Sequence, residues 1–285
     1  MESKGVKIEK KKKEKLYIYN ETSLPDNRFR YYKGSCVFEE KEGINYLHIN
    51  NVKFFTPDLK KAIIEYSNLD ITNNKEIARL IRKYGLLGLV HFFTEREREI
   101  IVWKYYPGQE WSHLFGVSEY ETKVSPFTIG RECFVNSSFW QHYHEPVVIF
   151  QMAVSQFRDA VYTLCQVEKT VRETAGPLYA TEDLAELRWL NQKHGRLTFT
   201  LEYTTNGKPL FAMPTNSLLG AMCGYLVWTV KNYYPIRQCP NCGKFVWADD
   251  RQHRRLFCCR KCTTDSAHAT WDKKRKAAKA SGDGK

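Results

Sequence analysis

Apolar residues recur along this chain at two different periods, and the switches between them mark out its elements. In 30–38 and 44–55, aromatic and β-branched residues crowd two runs parted at Glu42-Gly43, which predicts a β-hairpin. Residues 57–66 read as a helix. Beyond them Ile77, Leu80, Ile81 and Tyr84 share one helical face, with Asn74 as the expected N-cap and Gly85 as the stop. The stretch 95–135 keeps no period; charged residues give way to Pro, Gly and Ser among aromatics, the pattern of a long surface excursion. After Pro146 the helical spacing is clearest. Phe150, Ala153, Phe157, Val161, Leu164 and Glu168 recur at three- and four-residue steps, predicting a helix to about residue 172. A second helix is expected over 182–193, capped by Thr181 and ended at His194-Gly195. Runs 197–203 and 209–213 flank Asn206-Gly207, a strong hairpin signal. Residues 217–232 then read as a buried helix, and no internal repeat is visible.

Five cysteines follow that last helix in two groups: Cys239-Pro-Asn-Cys242, and then Cys258-Cys259-Arg-Lys-Cys262 about fifteen residues on. Thiolates in two such pairs close a tetrahedron around one Zn²⁺, and the spacing is that of zinc ribbons and knuckles. With sulfur in all four positions no place is left for water, so the expected role is structural. Cys258 and Cys259 are adjacent and cannot both serve one tetrahedron without strain. If Leu256-Phe257 ends a strand and the fourth ligand lies on the first helical turn, Cys258 is favoured over Cys259. The expected ligands are therefore Cys239, Cys242, Cys258 and Cys262. A module this short is held by metal ligation rather than burial, with Phe245, Trp247 and Phe257 as its apolar floor. Gly243 permits the left-handed backbone of the knuckle.

The fold class that results is α+β: a mainly helical body with β-hairpins and a C-terminal finger of zinc-ribbon or treble-clef type. The expected organisation is a disordered basic arm over 1–15, an α+β region over 16–140 and a helical region with a hairpin over 141–235. The finger follows over 236–272 and a basic tail over 273–285. Hydrophobic residues at 42% and aromatics at 14% are enough for a packed core and argue against disorder. The lysine-rich start lacks a following apolar stretch, so no secretory signal is read there. The longest apolar run, 218–230, is too short to cross a bilayer. Cys36, Cys133, Cys165 and Cys223 are scattered singly, as in a reduced, cytoplasmic protein.

Layout and residues together give the last hundred and forty or so positions a likeness. The order is a long helix, a helix with Leu190-Asn191, a hairpin and a helix. Ile236-Arg-Gln-Cys-Pro-Asn-Cys-Gly-Lys-Phe245 and Arg254-Arg255-Leu-Phe-Cys258 complete it. This resembles the bacterial ABATE-domain proteins that end in a CGNR-type zinc finger. The resemblance implies a stress-responsive transcription regulator whose helical domain senses a ligand and whose finger binds DNA. One departure is plain. Where that family has Cys-Gly-Asn-Arg, this chain has Cys262-Thr263-Thr264-Asp265, and its final cysteine pair is one residue closer. The finger thus stands nearer the broad Cys-x₂-Cys-Gly-Lys…Phe-Cys-x₃-Cys group.

Charge sharpens the functional reading. Of the formal +12, residues 1–15 supply seven Lys against three Glu, and 251–285 supply eleven Lys or Arg against three Asp. The body between is neutral. A basic segment abutting a metal site is the footprint of a polyanion partner, with a solubilising tail as the plainer alternative. Arg254, Arg255, Arg260 and Lys261 have a competing role in offsetting the −2 charge of a four-thiolate Zn²⁺ centre. Lys273, Lys274, Arg275 and Lys276 lie beyond that reach and read as phosphate contacts. Trp271 is expected to pack on Ala267 and Ala278 rather than stack on a base. His142-Tyr-His144-Glu145 offers two imidazoles and a carboxylate but no identifiable third ligand, so surface or capping roles are expected. Glu95-Arg-Glu-Arg-Glu99 reads as a solvated, self-paired face. No phosphate-cradling glycine loop, nucleophile elbow or HExxH occurs, so no catalysis is expected. The reading is a regulatory protein with a structural Zn²⁺, a nucleic-acid partner (DNA first), a small-molecule or protein ligand of the body, and no membrane. The alternative is an interaction adaptor in which the finger is a folding clip.

Overall fold

The computed structural model describes residues 16–19, 31–89, 140–141, 143–174, 200–203, 209–215, 217–231, 236–248 and 257–282. The expectations for 1–15, 95–135, 182–193 and the Asn206-Gly207 turn lie outside the described residues, as do Arg254 and Arg255. Within them the class is α+β.

The first hairpin pairs β2 (Tyr31–Lys41) with β3 (Ile44–Phe55), Lys41 lying opposite Ile44. Glu42 and Gly43 take φ of 51° and 75°, the left-handed pair that a two-residue turn needs to follow strand twist. Strand β4 (His144–Pro146) adds to β3, giving the order β2-β3-β4 with Leu47 opposite Glu145 and His48 opposite His144. Leu47 and Ile49 are buried on the core face.

Helix α1 (Leu59–Ser67) begins at Asp58, whose carboxylate accepts from the Lys61 amide at 3.1 Å. Helix α2 (Asn74–Tyr84) is capped by Asn73, one residue before the expected Asn74. The Asn73 Oδ1 accepts from the amides of Lys75 and Glu76, the second and third residues of the helix, where a cap acts. Gly85 ends it at φ 86°, and a Cβ there would overlap the Tyr32 carbonyl oxygen. Helix α3 (Val147–Thr174) buries Phe150, Ala153, Phe157 and Val161 as the stripe requires, together with Ile149, Val154, Ala160 and Cys165. Helix α4 (Leu218–Lys231) buries nearly every side of its first half, the mark of a helix enclosed by others. Helix α1 packs on both α3 and α4. Arg158 on α3 donates to the carbonyls of Ser67 and Leu69, so its charge caps the C-terminal end of α1.

A second sheet has the order β1-β6-β5, formed by Leu16–Tyr19, Pro209–Pro214 and Thr200–Tyr203. Strand β1 runs parallel to β6, Leu16 facing Phe211. Nothing in the alternation of residues 16–19 announces that partner. No helix among the described residues is long and apolar enough to cross a membrane.

Glu145 is fully buried. Its carboxylate accepts from the amides of Leu87 (3.1 Å), Gly88 (2.6 Å) and Leu89 (3.1 Å) and from the Tyr143 hydroxyl (3.0 Å). Burial pushes this carboxyl up to about 7, against the pull of those four donors. Glu145 therefore ties β4 to the loop after α2. It points to the core, away from His144 on the other face, so His144 and Glu145 do not converge on one point; His142 lies outside the described residues.

Candidate metal centre and nucleic-acid interface

Two short strands, β7 (Ile236–Gln238) and β8 (Phe245–Trp247), pair antiparallel and carry a knuckle between them. Its backbone closes through Gly243 N–H to the Cys239 carbonyl and Cys239 N–H to the Lys244 carbonyl, both at 2.8 Å. Gly243 has φ 72° in otherwise open space, so conformation rather than crowding calls for glycine. Burial pushes the Cys239 thiol up, but the amides of Cys258, Cys242 and Asn241 outweigh it and bring it down to about 6. The fold thus favours a thiolate there. Burial and the hydrogen bonds it shares with neighbouring sulfurs push the Cys258 thiol up.

The knuckle is bonded to the body. The Asn68 side chain, at the C-terminal end of α1, donates to the Phe245 carbonyl (2.9 Å) and accepts from the Phe245 amide (2.8 Å). Trp247 Nε1 donates to the Lys60 carbonyl at 2.7 Å, and the Cys165 thiol donates to the Ile236 carbonyl at 3.0 Å. Ile236 and Phe245 belong to the main core, and Trp247 packs against it. The aromatics expected as a local floor thus face the body: Phe245 and Trp247 are shared with α1 and α4 rather than reserved for the metal.

The other half of the cysteine group sits at the start of α5 (Arg260–Gly282). Phe257 and Cys258 lie in a bend rather than a strand, and Cys262 is on the first helical turn. The sulfurs of Cys242 and Cys258, and of Cys258 and Cys262, are 3.4 Å apart. One sulfur from each of Cys239, Cys242, Cys258 and Cys262 lies within 4.8 Å of the others, close enough to hold one metal ion. Sulfurs around a tetrahedral ion with bonds of about 2.3 Å stand roughly 3.8 Å apart, and the two pairs at 3.4 Å are within a few tenths of an ångström of that. Cys259 is exposed, its sulfur 3.7 Å from that of Cys258, and Cys258 completes the group instead.

Helix α5 is solvent-exposed along almost its whole described length, with Cys262 its one buried residue. Arg260, Lys261, Lys273, Lys274, Arg275 and Lys276 are all exposed on it. At 3.6 residues per turn, Arg260, Thr264, His268, Trp271 and Arg275 fall along one stripe, and Cys262 projects roughly opposite. The cysteine group therefore holds the helix by the side turned away from that stripe. Lys273, Lys274 and Lys276 spread around the remaining circumference. Trp271 does not pack down: it is 59% exposed, and the Arg275 guanidinium lies 5.0 Å from its ring centroid. Ala267 is itself exposed and offers no pocket; one turn on, Arg275 supplies the contact through a cation–π stack.

A second set of ligating side chains, Glu39, His48 and His144, also comes together. Sequence reading singles out His144 but neither of the others, because pairing of three strands brings them into contact. No family model, curated protein or solved structure matches this chain.

Proposed function

We propose that this is a nucleic-acid-binding regulatory protein, DNA being the first partner to test, in which Zn²⁺ held by Cys239, Cys242, Cys258 and Cys262 fixes helix α5. The observation that carries the reading is the exposed cationic helix anchored by one buried cysteine. The helix side chains described from Thr263 to Ala277 are almost all exposed. Its arginines and lysines face solvent where phosphates can reach them, Arg275 while also paired with Asp272 at 3.8 Å. Four sulfur donors suit Zn²⁺ and leave no open position for reaction. Lys273, Lys274, Arg275 and Lys276 supply affinity without sequence information. Arg260 and the Thr264–His268–Trp271 stripe are the groups that would reach base edges. The body's ligand-sensing role, and the kinship with ABATE-domain proteins of the CGNR type, rest on the layout quoted above and belong to this proposal.

The test is fluorescence anisotropy with duplex DNA across a salt series. The logarithm of affinity is expected to fall linearly with the logarithm of salt. Replacing Lys273, Lys274, Arg275 and Lys276 by Ala should flatten that slope by about three to four for all sequences alike. Metal-loaded protein with no affinity for DNA or RNA at low salt overturns the reading.

The bonds from Asn68 and Lys60 to the knuckle favour a second reading, an adaptor whose finger is a folding clip. That reading expects deletion of 263–285 to leave stability and partner capture unchanged.

A further inference from the structure

Three ligating side chains, Glu39, His48 and His144, lie on one face of the β2-β3-β4 sheet, one from each strand. His48 faces His144 on one side and Val37 on the other. Glu39 follows Val37 by two residues, so it projects from the same face. Its Oε2 is 3.3 Å from His48 Nδ1 and 3.5 Å from His144 Nε2. One ligand atom from each residue lies within 4.8 Å of the others. Nitrogen and oxygen donors around a tetrahedral ion, with bonds of about 2.0–2.2 Å, stand roughly 3.3–3.6 Å apart. Two edges of such a polyhedron therefore already have the right length. The imidazoles meet edge to face, with centroids 4.9 Å apart and planes at 87°.

A second, independent observation is the state of His48. Its Nδ1 is buried and makes no hydrogen bond, although the carboxylate is beside it. A buried polar atom left in that state costs free energy, which a coordinate bond would return. The three side chains keep 37%, 14% and 18% of their surface exposed for Glu39, His48 and His144, so an ion can enter from solvent.

We propose that Glu39, His48 and His144 form a second metal site, separate from the cysteine group. It would take a divalent first-row transition ion and keep an open position for water or another oxygen donor. Two imidazoles and one carboxylate suit Zn²⁺, Fe²⁺ or Ni²⁺, whereas Mg²⁺ and Ca²⁺ favour all-oxygen shells. The Lys41 ammonium pairs with the same Glu39 oxygen at 3.0 Å. It competes with the ion for that oxygen, and its flexible stem lets it swing aside.

Cobalt(II) added to the intact chain as isolated tests the site, because colour separates the two kinds of ligand. Cobalt entering the cysteine group produces intense sulfur-to-metal charge transfer; cobalt on histidine and carboxylate produces weak d–d bands alone. The expected result is one equivalent bound with d–d bands only. Glu39→Gln, and separately His48→Gln with His144→Gln, should weaken that equivalent by more than about tenfold. Lys41→Ala should tighten it, an outcome that a mere ion pair on the sheet does not produce. Glu39 is the most exposed of the three, so Glu39→Gln decides the matter if the double variant fails to fold. Absence of the d–d equivalent from the wild type, or its survival in both variants, overturns the site.

Discussion

The two halves of the cysteine group are built in opposite ways. Cys239 and Cys242 stand on a knuckle that the body holds through Asn68, the Lys60 carbonyl, the Cys165 thiol and the shared burial of Ile236 and Phe245. Cys258 stands in the bend before α5 and Cys262 on its first turn, and α5 is exposed from Thr263 to Ala277 apart from a half-buried Ser266. The first half is shaped by the fold whether or not a metal is bound. The second is tied to the first mainly through its sulfurs and the Cys258 amide beside Cys239. A metal ion held by such a group would act as a joint, setting where the cationic helix points with little effect on the body.

The largest expected effect breaks the joint outright. Ligation in small finger peptides is worth on the order of 10–16 kcal/mol, so chelation should erase amide-exchange protection across 257–282 while β7 and β8 keep theirs. Equal loss of protection in both halves would show that the knuckle also depends on the metal. Next in size is the anchor on the other side. Asn68→Ala removes both bonds to Phe245 and the bond to the Ile64 carbonyl, with an expected loss of about 2–4 kcal/mol in urea unfolding. Asn68→Asp should cost at least as much at neutral pH, because its carboxylate would face the Ile64 and Phe245 carbonyl oxygens at the negative end of α1. The smallest effect on stability belongs to the exposed half. Trp271→Ala should change unfolding by no more than about 0.5 kcal/mol, and yet weaken single-stranded DNA binding by roughly 1–3 kcal/mol if the ring stacks on a base. A destabilisation comparable to that of Asn68→Ala would mean that α5 packs on something after all.

Local signals carried much of this architecture. Glu42-Gly43 marked the hairpin, the stripe through Phe150, Phe157 and Val161 marked α3, and the paired cysteines marked the ligand group. These features are legible because each is decided by residues within a turn or two of one another. Choice of cap on α2 slipped by one position, since Asn73 and Asn74 carry the same side chain and only geometry chooses between them. Glu145 reads as a surface acid in sequence; three of its four donors are backbone amides 56–58 residues away, and amides leave no mark in composition. The meeting of Glu39 with His48 and His144 was hidden for the same reason, as strand register and not spacing makes it. Trp271 was misread because an aromatic on a helix usually has a neighbour to cover it, and here the neighbour is a guanidinium.

Pairing of β1 with β6 joins Leu16 to Phe211, and the contact between Asn68 and Phe245 spans 177 positions. On a ribosome adding roughly 5–20 residues each second, such partners are born on the order of ten seconds or more apart. During that interval the emerging strand has an open edge and α1 lacks the backbone it will grip. Nascent chains of this protein should therefore lean on chaperones until translation has passed the knuckle, and a pause placed just before it would lengthen their exposure.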